Sequence, residues 1–413
     1  MANEALSWKR RRLLMVLGLP SLGITLAYTF VTAYLPIFIE RLAGAAVTGL
    51  MIGGEGVFAL FVPFLIGGWS DSLQTSIGRR LPFIFAGTLL IILTLFLMPF
   101  SSNHLLLLGI EIAIFFIGYF THYAAYYAIF PDLIPKSQRG RSQGVQGGFR
   151  SLGLFLAFVG GGFLLNIWKP LPFLIIIIVL IIVTFIFYYN VRHSIKKPDF
   201  NKKTKSNRWK NEWKLIKNDR QIRLWFTANT LWEAAIGSLK VFVVLYFTQG
   251  LHFTLPQTAI VLSLVGISAI FAAPIAGVLA DRYSHRPVIL ISVILFAIGA
   301  IPPLFNVSLY FIILIFPIAF SAVILMTLPF SILMGFLPNE NSHGAGAALF
   351  ALSQGIGALI GPITAGIAVE ILNHTNFLML EKTKGYAAIF PISSFFLLCS
   401  IPFAFALFKK KAD

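Results

Sequence analysis

Gly67-Gly68-Trp69-Ser70-Asp71, running on to Gly78-Arg79-Arg80-Leu81-Pro82, is answered 210 residues later by Gly277-Val278-Leu279-Ala280-Asp281-Arg282 and then His285-Arg286-Pro287. Both read Gly, three residues, Asp, a short basic turn, Pro, and then a long apolar run. The setting of these two turns is decided by composition. The 413 residues are 58% hydrophobic and only 11% charged, with a net charge of +17. A soluble chain carries about 25% charged residues, so this one cannot coat a globular surface in water. One cysteine, Cys399, excludes a disulfide scaffold. The chain is therefore read as a polytopic membrane protein.

Working outward from the two turns, twelve apolar runs appear, each near the roughly 20 residues that cross a bilayer core. They are approximately Leu13–Ile39, Thr48–Ser70, Pro82–Phe100, Leu105–Phe130, Gln143–Leu165, Leu171–Asn190, Ile222–Gln249, Gln257–Ala280, Val288–Phe305, Leu309–Gly335, Gly344–Glu370 and Tyr386–Phe408. Helix is required, because a lipid-facing backbone must satisfy its own hydrogen bonds. Runs such as Phe173–Val179 lack the alternation of a membrane barrel. With the N-terminus in the cytoplasm, 26 Lys and Arg fall on the cytoplasmic side and four (Arg41, Lys169, Lys382, Lys384) on the outer side. That asymmetry orients the chain, with both termini cytoplasmic, and explains the net charge without nucleic acid. The first run is too long for a cleavable signal, and the expected location is the plasma membrane.

Residues 191–221 are the longest polar stretch and are expected to be a basic cytoplasmic linker between residues 1–190 and 222–413. Within it, Trp209–Ile216 could lie as an amphipathic helix on anionic lipid. The fifth and eleventh runs are both Gly-rich: Gly144, Gly147, Gly148, Gly153 and Gly160–Gly162 against Gly344, Gly346, Gly355, Gly357 and Gly361. A six-span unit repeated in parallel predicts an all-α membrane fold of two pseudo-symmetric six-helix bundles. Glycine at a helix end permits close helix packing. An Asp there can pair with Arg or cap a neighbouring helix. Asp71, Gly78, Arg79, Arg80, Asp132, Arg139, Arg141, Asp281, Arg282 and Arg286 are therefore the expected gating set, joining the bundles on one side and releasing them on the other.

Two stretches carry a family resemblance. Gly68-Trp-Ser-Asp-Ser-Leu-Gln-Thr-Ser-Ile-Gly-Arg-Arg-Leu-Pro-Phe-Ile84 resembles a characteristic turn of the sucrose-type and glycoside–cation symporters of the major facilitator superfamily. Tyr127-Ala-Ile-Phe-Pro-Asp-Leu-Ile-Pro-Lys-Ser-Gln-Arg-Gly-Arg-Ser-Gln-Gly144 is similar to a second such stretch. The resemblance implies alternating-access transport of a small solute, often a sugar, driven by protons or sodium. The coupling positions differ: where sodium-coupled relatives carry acids, this chain has apolar residues in the second span and Tyr123 in the fourth. Tyr127 stands where the sucrose carriers have Arg.

An ionisable residue inside a span usually faces a partner or a watery path. Here these are Glu55, Glu111, His122, Arg150, Glu233 and Lys240. Eleven residues put Glu111 and His122 on one helix face about 16 Å apart, and seven put Glu233 and Lys240 on one face about 10 Å apart. Thr25, Tyr28, Thr29 and Thr32 form a polar stripe on the first span. The resemblance implies that spans one, four, seven and ten line the central path. Thr25, Tyr28, Thr32, His122, Tyr123, Tyr126, Asn229 and Trp232 are accordingly the expected solute-binding set. Glu111, Glu233, Glu55, Arg150 and Lys240 are the expected ion-coupling set, with Glu233 and Glu111 the leading proton carriers. Aromatics with Thr, Asn and carboxylates suit a polyol, and also an amino compound or a drug-like cation. The seven histidines are scattered, and no metal cluster, catalytic triad or phosphate loop is present in the sequence. No cofactor or enzyme activity is expected. The expected partners are a small solute, a proton or sodium ion and membrane lipid, on a monomer. A lipid or drug exporter of the same fold, and a non-transporting scaffold or sensor, remain open readings.

Overall fold

The computed structural model describes residues 8–73, 75, 77–134, 139–192, 219–305, 309–337 and 343–407. Among them every regular element is helical. The first half holds α1 (Trp8–Tyr34), α2 (Pro36–Gly53), α3 (Glu55–Ser72), α4 (Leu81–Leu97), α5 (Leu105–Leu133), α6 (Arg139–Ile167) and α7 (Leu171–Val191). The second half holds α8 (Arg220–Leu245), a π turn at Tyr246–Gly250, α9 (Leu255–Tyr283) and α10 (His285–Gly299). It continues with α11 (Leu309–Phe336), α12 (His343–Leu372), and α13 (Ile389–Leu407) behind a short 3₁₀ turn at Tyr386–Ala388. Eleven stretches are long and apolar enough to cross a membrane, and α4 is a shorter apolar helix. The expected surface helix at Trp209–Ile216 lies outside the described residues.

The turn between the first two spans falls between Ile39 and Thr48, as expected, and a helix break precedes it. Pro36 opens a new helix after Tyr34, because proline cannot donate the bond that would continue α1. The chain then turns at Gly44 (φ +79°, ψ −179°), a left-handed conformation open to glycine. Span one is thus α1 with residues 36–43, and span two is residues 45–53 with α3. Elsewhere local chemistry sets the ends. Asp219 caps α8 by accepting from the Gln221 and Ile222 amides at 2.8 and 3.3 Å. Thr254 and Gln257 form a reciprocal capping box on α9. Gly78 (φ +100°) closes the turn between α3 and α4, where the Thr75 hydroxyl donates to its carbonyl.

Leu89, Phe100, Leu106, Ile167, Phe185, Val278 and Ile371 stand exposed on the outside of the bundle. In water each side chain of this size would cost about 1.5–3 kcal/mol relative to burial. A ring of them is a lipid-facing surface.

The two halves meet along two glycine-lined seams. In the first, Gly49, Gly53 and Gly56 of span two face Gly366, Pro362, Leu359 and Gly355 of α12. A methyl at Gly49 would overlap the Pro362 carbonyl, so only glycine admits this approach. In the second, Gly162 and Phe155 of α6 face Leu255, Ala259 and Gly266 of α9, and Ser151 donates to the Ala269 carbonyl. Residues 144, 148, 151, 155 and 162 lie on one helix face. Yet Gly144, Gly148 and, on α9, Gly277 have nothing within 4 Å of where a Cβ would stand. Along α6 and α9 the halves therefore touch away from the side where α1 begins and α13 ends, and splay apart toward it.

Candidate functional site

Where the closed seams end, charged side chains meet between the halves. Lys240 extends from α8 to the first half, its Nζ 2.7 Å from Glu55 Oε1 and 2.7 Å from the Tyr28 hydroxyl. The ammonium also lies 4.7 Å from the Tyr28 ring centre, within cation–π reach. Glu55 opens α3 within the run Gly53-Gly54-Glu55-Gly56 and is 1% exposed. The neighbouring glycines bring α12 close and seal the carboxylate from that side. Lys240 keeps a side-chain exposure of 22%, so the pair sits at the edge of a watery cleft.

From Tyr28 a ladder of rings descends along α5. Tyr28 stacks on Tyr119 at 4.5 Å, Tyr119 on Tyr123 at 5.9 Å, and Tyr123 meets Tyr127 at 4.1 Å. The spacing 119, 123, 127 is one helix face, which is why a continuous column forms. Because the rings face one another, their edges and hydroxyls are what remain for the cleft. Arg150 of α6 is exposed to solvent and lies against Tyr119, Tyr123 and Tyr127, bonding the last. On the facing half, Gln354 of α12 donates to Glu233 Oε1 at 2.8 Å. Glu233 also senses the charges of Lys240, Glu55 and Arg150. Two cations and two carboxylates thus share one neighbourhood, and their formal charges cancel.

The structure divides the expected residues. Tyr28, Glu55, Tyr123, Arg150, Glu233 and Lys240 come together. His122 does not join them: it is buried against the Gly87 backbone, with Nδ1 2.8 Å from Thr88 Oγ1. Tyr126 ties α5 to α1 through the Leu17 carbonyl and Ser21. Asn229 Nδ2 donates to Ser353 at 2.7 Å, and the Trp232 indole donates to Ser400 at 2.9 Å, so both bonds lie within the second half, with the buried Asn229 Oδ1 left without a partner. Thr32 is fully buried and donates to the Tyr28 carbonyl. Thr25 is half-buried. Glu111, expected as a proton carrier beside the path, accepts a bond from Ser101 in the turn before α5 instead.

Of the gating set, Gly78 closes its turn as described, and Arg79 and Arg80 are half-buried and engaged. Asp281 is exposed and in no ion pair among the described residues. Arg282 and Arg286, also exposed, lie over the rings of Tyr283 and Phe405 at 5.3 and 5.5 Å. The side chains of Asp71, Asp132, Arg139 and Arg141 lie outside the described residues. Among the described residues no cluster of three or more His, Cys, Asp or Glu could hold a metal.

A family model described as "MFS/sugar transport protein" matches residues 16–409. Among solved structures, the chain is similar to a bacterial homolog of the human lysosomal transporter Spinster in an inward-facing, unoccupied conformation. That match has a TM-score of 0.76 at 15% identity, over 98% of each chain. It is also similar to the nucleoside transporter NupG, with a TM-score of 0.70 at 16% identity, over 96% of this chain and 98% of that one. These likenesses show the fold. No curated protein sequence matches the chain.

Proposed function

The chain belongs to the MFS/sugar transport protein family, a family of transporters and not enzymes, and from that premise we propose that it is a secondary active transporter carrying a sugar or glycoside by alternating access. Residues 1–190 and 222–413 act as the two rocking bundles, and residues 191–221 as their cytoplasmic linker. The observation that carries the reading is the Lys240–Glu55–Tyr28 bridge, made across the halves where the closed seam opens into the cleft. Closing or opening either side has to move Lys240 relative to Glu55, so the groups facing the solute also report which side is open.

Three features support an uncharged, hydroxyl-rich solute. The four charged side chains cancel, leaving no net field to select a cation or anion. The tyrosine ladder offers hydroxyls and ring edges. Arg150 and Gln354 add donors in fixed orientations. The basic side, toward which the cleft splays, is the cytoplasm by the positive-inside rule, which makes this the inward-open conformation at the plasma membrane. Glu233 carries the coupling charge: it faces the cleft with one neutral donor, Gln354, and within reach of Lys240. The moving ion is a proton or sodium.

Proteoliposomes offered a labelled panel of sugars, glycosides, amino compounds and amphipathic drugs, with and without pH or sodium gradients, test this directly. Gradient-driven accumulation of a sugar or glycoside is expected, and Glu233→Gln should keep solute exchange while losing accumulation. Movement of only lipid-like or cationic compounds overturns the solute class. Accumulation by Glu233→Gln at the parental level removes it from coupling.

A further inference from the structure

On the far side of the molecule from the cleft, the geometry points to Glu370 as the gating residue that latches the outer rim, an inference resting on the alternating-access reading. The helical path stops at Gly44 and restarts at Ala45, so the first amides of span two have no partner in their own helix. Glu370, from α12 in the other half, supplies one. Its Oε2 accepts from the Ala45 amide at 3.0 Å and the Ala46 amide at 3.4 Å. A carboxylate at a helix N-terminus meets both the open N–H groups and the positive end of the helix dipole. Here the cap comes from 325 residues away and crosses the seam between the halves.

Two further observations show that the rim is fitted around this carboxylate. A side chain at position 44 would stand 2.8 Å from Glu370 Oε2 and 3.3 Å from Oε1, so Gly44 supplies space as well as its left-handed φ. Tyr386, which enters α13 and is 3% exposed, lies beside both Glu40, at the end of span one, and Glu370. Acidic groups from both halves therefore converge on one tyrosine at the rim. When the outer side opens, α12 must leave span two, the Ala45 and Ala46 amides pass to water, and the cap is lost. Glu370 thus stabilises only the outer-closed conformation. As a group acting through helix position, it is a positioning residue and does not touch the solute.

The test uses full-length protein in proteoliposomes, with Cys399→Ser and a reporter at Thr48→Cys. Thr48 is fully buried in the closed rim. A membrane-impermeant maleimide is applied to the outer side, and a second reporter, Gly277→Cys, is read from the inner side. Loss of one capping carboxylate should shift the equilibrium about fivefold. With Glu370→Ala the outer reporter should label about fivefold faster while the inner one slows. Glu370→Gln, which keeps an acceptor oxygen but not the charge, should fall between. Unchanged outer labelling overturns the latch, and so does equal acceleration at both reporters, the sign of a loosened fold. Because labelling needs no solute, failure to transport any compound in the panel would overturn the functional reading separately.

Discussion

Gly56→Ala is the sharpest probe of the closed seam. Gly56 lies on the face of α3 that meets α12. An added Cβ would stand 2.8 Å from both Leu359 Cβ and Leu359 N, and would overlap the Gly355 carbonyl. Ordinary contact distances begin near 3.5 Å. The obstacles are chiefly backbone, so no rotamer change relieves them, and the helices must part by most of an ångström. Gly49 and Gly53 share the stripe, so their contacts loosen too. Forcing one methyl into such packing costs about 1–3 kcal/mol. That cost falls between the halves, and it vanishes when span two leaves α12. The substitution therefore leaves each bundle intact and favours the outward-open form by roughly 5- to 150-fold. Double electron–electron resonance between spin labels at Gly144→Cys and Gly277→Cys, on the splayed side, reads the change. The parent should give a long distance, and Gly56→Ala a substantial population at a shorter one. A distribution superimposable on the parent's would refute the claim that these glycines set the equilibrium.

Lys240→Met strands the buried Glu55 carboxylate and should destabilise the protein by about 3–5 kcal/mol, visible as a large drop in Tm; the pair Glu55→Gln with Lys240→Met should recover most of it, and additive losses would show that the bridge carries no coupling energy. Gly148→Trp should fold normally, since nothing lies within 4 Å of its Cβ position. It should nevertheless hold the protein inward-open and slow solute exchange at least tenfold in a counterflow assay, whereas normal exchange would mean the inner halves of α6 and α9 never meet. Glu233→Gln should separate exchange from accumulation in gradient-loaded vesicles.

Much of the architecture was legible because membrane insertion leaves little choice. Twelve apolar runs had to become helices, and charge asymmetry and the doubled Gly–Asp–basic–Pro turn gave their order and pairing. The turn between the first two spans was legible too, because Glu40 and Arg41 interrupt the apolar pattern there; what hydropathy does not reveal is the helix break at Pro36 and that one left-handed glycine, Gly44, makes the turn. The site was legible by chemistry more than by direction. Glu55, Lys240, Arg150 and Glu233 stood out because charges in oil demand partners. His122, Trp232 and Asn229 were expected to bind solute but make their hydrogen bonds inside one half, and a single sequence gives no depth coordinate to separate the cases. Gln354 escaped notice because an uncharged amide in a glycine-rich helix looks like helix-packing glue. Its only signal was position: one residue from Gly355, on the helix that closes the seam. Tyr119 and Tyr127 were visible as neighbours of Tyr123, but the column they build with Tyr28 depends on span one crossing span four.

On the proposed reading, glycines also mark a conformation in which the splayed side is closed. The closed seams use Gly49, Gly53, Gly56 and Gly162 on one half and Gly266, Gly355 and Gly366 on the other. Gly144, Gly148 and Gly277 continue the α6 and α9 stripes into open space, where glycine gains nothing from present contacts and costs helix stability of about 1 kcal/mol each relative to alanine. Small residues kept at that cost, on the faces that seal the other end, are accounted for if those faces also come together. The repeat supplies the partners, since α6 faces α9 in one seam as α12 faces span two in the other. The second Asp–basic turn directly follows α9, with Arg282 and Arg286 resting on aromatic rings and able to swing to new carboxylate partners as the splayed side closes. Lys240 and Glu55 stand near the pivot between the two sealing zones. On the proposed reading, one bridge between the halves, glycine-lined faces on each side of it and a latch at the rim would together give two alternately closed ends to a single central site.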